Sequence, residues 1–171
     1  MITPLASVQQ PVRGTRMHRL EVEPLGPLSW DFRVRADGRD VATLSLARFR
    51  ERGGFELAGV AHDIVAEGFL RRTYRLERGG LVTARAQPRG VFRPSFVVNT
   101  GDRVLTLRPV GFFGRTYKVE HGRTPMGEIR RLGVFRRGAA GELDERIEPG
   151  CRILLICIAV LQWRHQSRRS S

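Results

Sequence analysis

The chain has 171 residues, 41% of them hydrophobic, and a formal net charge of +13 at pH 7, which together indicate one domain with one core and a basic surface. Its two cysteines, Cys151 and Cys157, lie in one apolar run, and its four histidines are scattered. This pattern argues against a disulfide framework and a metal site, so we expect a reducing cytoplasm, no metal and no other cofactor.

The chain begins with a polar segment, residues 1–18, that we predict to be a flexible tail. It contains Pro4 and Pro11, and it lacks both hydrophobic periodicity and the features of a signal peptide. Short alternating segments then predict a single domain over residues 19–166, followed by a basic tail at 167–171.

About ten to twelve short strands are predicted, since hydrophobic residues such as Trp30, Phe32 and Val34 alternate with charged ones. Turns are expected at 36–40, 78–80, 99–102 and 121–125. The other predicted strands are residues 41–49, 55–60, 69–77, 81–86, 96–98, 104–107, 116–120, 126–132 and 134–136. This spacing of turns is typical of an antiparallel sandwich or barrel.

An internal repeat runs through this region. GFLRRTYRLERG at 68–79 and GFFGRTYKVEHG at 111–122 are identical at seven of twelve positions, and GRDVATL at 38–44 is echoed by GDRVLTL at 101–107. Alternate residues of a strand share a face. One face of the longer repeat carries Leu70, Arg72, Tyr74 and Leu76 in the first copy, and Phe113, Arg115, Tyr117 and Val119 in the second. The repeat predicts two related sets of strands in one closed sheet.

The sequence ends with RILLICIAVLQWRHQSRRSS, residues 152–171, which we predict to contain a helix at about 150–165. Ile153–Leu161 is apolar without a break, so this helix has no polar face. A membrane span needs roughly 20 apolar residues, so burial in the protein is favoured. A tail anchor stays open as an alternative, because the basic residues that follow suit anionic headgroups. A barrel of many strands is too wide for its own side chains to fill, and a central helix would fill it.

This layout resembles the tubby C-terminal-like superfamily, and most closely its LURP-one-related members and their small bacterial relatives. The residues that carry the resemblance are GFLRRTYRLERG, GFFGRTYKVEHGRTPMGEIRR and the terminal RILLICIAVLQWR, within residues 28–166. The resemblance implies a mainly β fold, with a closed antiparallel barrel of about twelve strands around one central apolar C-terminal helix. It also implies binding of phosphoinositides through basic residues.

Arg72 and Arg115, at equivalent repeat positions, are the first candidates for a ligand site, and Lys118 in the second copy joins them. If the face they share with tyrosine points inward, each brings a charge toward the interior and needs a partner. One interpretation is a bidentate anion site at the barrel mouth. One alternative is pairing with the protein's own acids, for example Glu142, Asp144, Glu145 or Glu148, or with carbonyls at the end of the helix. Another is a bulge that turns the arginines outward.

The basic charge is carried by arginine, since Lys118 is the only lysine, and it suits anionic lipid, nucleic acid or acidic proteins. Codon bias in a GC-rich genome would also explain it, because the arginines are spread along the chain. No nucleophile elbow or phosphate loop is present, and no catalytic residue is assigned. We therefore expect a cytoplasmic, non-enzymatic binding module, peripheral to the membrane, for anionic lipid headgroups or a protein partner. The alternatives are a nucleic-acid-binding barrel and a protein anchored by its C-terminal segment.

Overall fold

The computed structural model shows a closed barrel of twelve antiparallel strands around one helix. The structure describes residues 16–46, 52–68, 71–91, 93–111, 114–133 and 137–169. The elements are β1 (Met17–Pro24), β2 (Asp31–Ala36), β3 (Arg39–Ser45), β4 (Arg52–Leu57), β5 (Val60–Glu67), β6 (Thr73–Arg78), β7 (Leu81–Arg89), β8 (Ser95–Asn99), β9 (Val104–Val110), β10 (Thr116–His121), β11 (Thr124–Arg131), β12 (Ala139–Asp144) and α1 (Pro149–Arg169). The predicted fold class is confirmed.

The sheet is a simple meander that closes on itself. Each strand pairs with the one before it, and β12 pairs with β1 from Met17↔Asp144 to Val22↔Ala139. Closure satisfies the backbone groups that an open sheet would leave at its two edges. Between β3 and β4 the described residues give the register Ser45↔Gly54.

The side chains that alternate inward form the wall of the core. In the two copies of the repeat, Tyr74, Leu76, Tyr117 and Val119 are fully buried. Phe32 and Val34 on β2 are buried in the same way. The predicted period of two is therefore confirmed for these strands, because one face of each strand meets the helix and the other meets water.

Helix α1 fills the barrel. Its residues from Cys151 to Leu161 are all buried, because the sheet surrounds the helix on every side. Burial raises the pKa of both Cys151 and Cys157 to about 12, so these free thiols stay protonated. The prediction of a buried helix is confirmed. Within the described residues, no helix combines the length and the apolar character needed to cross a bilayer.

Strand β12 approaches the helix most closely, and its small residues make this possible. A Cβ atom at Gly141 would lie 3.2 Å from Cδ1 of Ile156 and 3.3 Å from Cγ1 of Ile129. Only a glycine leaves both isoleucines in place without one of them moving. The strand contains AAGELD, a sequence poor in strand-forming residues, and it was not predicted.

One predicted strand is wrong. Residues 55–60 were expected to form a single strand, but β4 ends at Leu57 and β5 starts at Val60. Ala58 and Gly59 turn the chain between them with φ angles of 51° and 76°. The predicted strand at 134–136, the start of the one at 69–77 and the end of the one at 41–49 lie outside the described residues.

A buried carboxylate secures the junction between β12 and α1. Asp144 is fully buried and accepts two hydrogen bonds from the Arg146 guanidinium, from Nε at 2.9 Å and from Nη2 at 2.6 Å. The backbone N–H of Arg146 donates a third, at 2.8 Å. These hydrogen bonds from Arg146 outweigh burial and hold the pKa of Asp144 below its usual value of 3.8.

Acid should therefore weaken the fold through Asp144. A depressed pKa means that its contribution to the free energy of unfolding is complete above about pH 4 and disappears as the pH falls through the lower folded-state pKa. We expect Asp144→Asn to lower the free energy of unfolding by about 2 kcal/mol at pH 7, and by less at low pH. Urea unfolding at both pH values measures this, with the exposed neighbour substitution Glu145→Gln as the control. Equal stability of Asp144→Asn and the wild type at pH 7 would contradict it.

Candidate functional site: a basic end of the barrel

The two ends of the barrel differ in what they expose. Because successive strands run in opposite directions, the loops after β1, β3, β5, β7, β9 and β11 all lie at one end. Helix α1 terminates there, since the indole N–H of Trp163 donates to the carbonyl of Gly114 at 2.6 Å. We define the basic end as the described residues of these loops, the strand residue on either side of each loop, and α1 from Trp163 onward.

The charge at the basic end is almost entirely positive. Its arginines are Arg52, Arg71, Arg72, Arg89, Arg93, Arg115, Arg131, Arg137, Arg164, Arg168 and Arg169. The described residues there include only two acids, and the protein's own groups engage both. Asp31 accepts a hydrogen bond from the Ser45 hydroxyl at 2.7 Å, and Glu67 pairs with Arg75 at 3.0 Å.

The opposite end, where α1 begins, is nearly balanced. Its arginines are Arg16, Arg39, Arg78, Arg103, Arg123, Arg146 and Arg152. Its acids within the described residues are Asp37, Asp102, Asp144, Glu145 and Glu148. The positive charge of the protein is therefore polarised along the barrel axis, and codon bias alone does not produce such a distribution.

Two arginines hold an aromatic ring at the basic end. The guanidinium carbon of Arg164 lies 3.6 Å from the centroid of the Trp30 ring, and that of Arg137 lies 4.8 Å from it. Both distances are within the range of cation–π attraction. Arg137 also donates to the carbonyl oxygens of Gly26, at 3.1 Å, and Pro27. The loop after β1 is thereby tied to the loop before β12.

Like charges are gathered here without an acid to balance them. Partial burial lowers the pKa of Arg164, and Arg168, Arg137 and Arg72 lower it further by repulsion. Among the described residues, no acid contributes an opposing effect on this group. We call Arg72, Arg137, Arg164 and Arg168 the arginine cluster. An anion bound to it would relieve the repulsion.

The structure brings two of the three predicted site residues to this end. Arg72 is partly exposed and belongs to the arginine cluster, while Arg115 is exposed and immediately precedes β10. Lys118 lies apart, exposed on the outer wall of the barrel, where its partners in register are Arg108 and Glu128. Arg115 therefore does not bring a charge into the interior, because the regular alternation of β10 begins only after it.

Asp144 and Glu148, two of the acids that were candidates for pairing with Arg72 and Arg115, do not pair with them. Both acids lie at the opposite end of the barrel from Arg72 and Arg115. Asp144 binds Arg146, and Glu148 accepts the backbone N–H of Cys151 at 3.0 Å. A whole helix separates them from the arginines they were expected to neutralise.

The two repeat tyrosines close the core beneath the basic end. Tyr74 packs against Phe96 with ring centroids 5.8 Å apart, and Tyr117 packs edge-on against Trp163 at 5.7 Å. Burial raises the pKa of Tyr74 to about 12 and that of Tyr117 further. Both rings therefore stay neutral and act as core residues, so they are not surfaces for a ligand.

A repeated loop sequence, which the longer repeat does not reveal, marks the basic end. GFLRR, GVFRP, GFFGR and GVFRR begin at residues 68, 90, 111 and 133, at intervals of 21 or 22 residues. Their first residues are glycines with φ angles of 88°, 88°, 76° and 67°, a conformation that other residues rarely adopt. Each of these loops contains at least one arginine, and all four loops lie at the basic end.

No family model, curated protein or solved structure matches the chain. Architecture alone therefore defines its class, that of a closed twelve-strand meander filled by a helix and charged at one end. Among the described residues, no group of three or more His, Cys, Asp or Glu side chains is arranged to hold a metal ion.

Proposed function

We propose that the protein is a non-enzymatic binding module that docks on anionic lipid surfaces through its basic end. The observation that carries the proposal is the collection of eleven arginines among the described residues there, against two acids that are already engaged. An arginine or lysine near an anionic membrane contributes about 1 kcal/mol of attraction, so several acting together give useful affinity. The resemblance to tubby-like proteins implies the same class of ligand.

Apolar side chains accompany the arginines. Leu28 is 90% exposed and Val91 is 71% exposed, and both lie in loops of the basic end. Leu25 in the same loop as Leu28 is also exposed. Exposed apolar groups among cations are typical of surfaces that enter the interfacial layer of a membrane.

Lipid is favoured over nucleic acid by the state of Trp30. Single-stranded nucleic acid binds to open aromatic rings on which bases stack. The guanidinium of Arg164 already covers the Trp30 ring at 3.6 Å, so this ring does not offer an open platform. A dispersed layer of headgroup phosphates needs only the guanidinium groups, which can each donate two hydrogen bonds.

Co-sedimentation with vesicles tests the proposal. The full chain is mixed with vesicles of phosphatidylcholine alone or with added phosphatidylserine, at salt concentrations from about 0.05 to about 0.5 M. We expect binding only to the anionic vesicles and release as salt rises. An absence of binding to anionic vesicles at the lowest salt would refute the proposal and direct the search to protein partners and nucleic acid.

A further inference from the structure

The opposite end of the barrel contains a cavity of about 590 Å³. It lies between the turn after β6, the turn after β8 and the first residues of α1. Cavities of roughly 300 to 1,000 Å³ are the usual size of small-molecule sites. The cavity shares none of its lining residues with the basic end.

A buried histidine faces this cavity with one nitrogen unused. His62 is only 5% exposed and stacks on Phe55, with ring centroids 4.8 Å apart and planes 6° from parallel. Its Nδ1 lies 2.9 Å from the carbonyl oxygen of Val60, which can only accept, so Nδ1 carries the proton. In the neutral ring, Nε2 is then an acceptor. Among the described residues no group donates a hydrogen bond to Nε2, so this nitrogen is available to a ligand in the cavity.

An arginine stands beside this histidine. His62 and Arg78 are partners in register on β5 and β6, so their side chains are neighbours on the inner face at the rim. Both residues line the cavity. Within the described part of the chain, Arg78 has no ion pair or side-chain hydrogen bond.

Most of the other charged groups of the cavity are engaged by the protein itself, and Arg85, which alternates with the buried Ala84 and Ala86 on β7, lies on the outer face of the sheet. Arg103 pairs with Asp102 at 3.4 Å, and Arg146 pairs with Asp144. The carboxylate of Glu148 accepts the backbone N–H of Cys151, which caps the helix. What the cavity offers to a ligand is therefore the guanidinium of Arg78 next to the acceptor nitrogen of His62.

We propose that this cavity binds a small organic anion that carries a hydroxyl group. Its phosphate or carboxylate pairs with Arg78, and its hydroxyl donates a hydrogen bond to Nε2 of His62. We assign a water-soluble ligand and not a lipid headgroup, and this part of the inference rests on the proposed function. Helix α1 has 21 residues and is about 31 Å long, so a barrel with its basic end on a membrane points this cavity away from it.

Calorimetric titration of the full chain with three probes tests the site. Glycerol 3-phosphate carries both groups, inorganic phosphate carries only the anion, and glycerol carries only hydroxyls. We expect glycerol 3-phosphate to bind more tightly than phosphate, and glycerol not to bind. Arg78→Gln should weaken glycerol 3-phosphate about tenfold or more, since it removes the charge-assisted pair. Arg123→Gln, an exposed arginine at the same end that does not line the cavity, is the matched control and should change nothing.

A second variant tests the histidine. His62→Phe keeps the stacking on Phe55 and should abolish the preference for glycerol 3-phosphate over phosphate, with thermal unfolding as the check on its fold. If His62→Phe does not fold, the Arg78→Gln variant still tests the site. The Arg78 side chain is exposed at the rim, so its replacement should leave the fold intact. No binding of glycerol 3-phosphate, or equal binding to the wild type and Arg78→Gln, overturns the inference.

Vesicle binding separates this inference from the proposed function. Arg78→Gln should bind anionic vesicles as the wild type does. A loss of vesicle binding in Arg78→Gln would indicate that the cavity binds a lipid headgroup, and it would overturn the inference of a water-soluble ligand. Failure of the wild type to bind vesicles, with glycerol 3-phosphate still bound, would overturn the docking proposal and leave the cavity site standing.

Discussion

Binding to anionic vesicles should weaken about thirtyfold when Arg72 and Arg168 are both replaced by glutamine, since each arginine near the membrane contributes about 1 kcal/mol. Both belong to the arginine cluster, and Arg168 is exposed while Arg72 is partly so. The fold should be unaffected, because removing two mutually repelling charges breaks no described ion pair. Co-sedimentation over a range of lipid concentrations measures the change.

A double variant at the opposite end provides the control. Arg39→Gln with Arg123→Gln removes the same charge from two exposed positions. If the basic end is the docking surface, this variant should bind almost as the wild type does. Equal losses in the two double variants would contradict a defined docking end, because they would show that net charge alone draws the protein to lipid.

Leu155→Ala should lower the free energy of unfolding by about 3 kcal/mol or more, the usual cost of emptying a core site that cannot collapse. Leu155 is fully buried in the first half of α1. Urea unfolding measures the loss. Arg168→Ala on the same helix is exposed and should change the free energy of unfolding by less than about 0.5 kcal/mol.

The same variant separates the central helix from the membrane-anchor alternative. An anchor contributes to membrane attachment and not to the stability of the barrel. Leu155→Ala would then leave the unfolding curve unchanged and weaken attachment to vesicles of any charge. A stability loss with unchanged vesicle binding by the folded protein is the result that the buried helix predicts.

The predictable part of the fold is the part that local patterns dictate. Alternation placed Tyr74, Leu76, Tyr117 and Val119 on one face, and burial of that face is what the structure shows. An apolar run with no polar face also has few structural solutions, so the length of Ile153–Leu161 was enough to favour a core helix.

The missed elements are those that contacts distant in sequence decide. Nothing local marks AAGELD as a strand, and its Gly141 leaves room for Ile156, a contact that is distant in sequence. The turn at Ala58 and Gly59 lacks the Asn-Gly or Asp-Gly pair that normally signals a tight hairpin.

The candidate site was only half predictable for a related reason. Arg72 and Arg115 were found through the repeat, whereas the arrangement of Trp30 between Arg137 and Arg164 joins residues more than a hundred positions apart. Only closure of the barrel brings these loops together. A scan for the Gly-apolar-apolar-Arg loops would have placed several arginines at one end before the structure was known.

The closure of β12 onto β1 sets the order in which the chain can fold. During synthesis all twelve strands leave the ribosome before the helix that fills them, so the inner face of the sheet has nothing to pack against. Until β12 pairs with β1, both strands also present unpaired edges, which are sites of aggregation. Such distant pairing is slow to form. We expect assembly to be delayed until the helix has been made, and nascent chains of this protein to depend on chaperones in the interval.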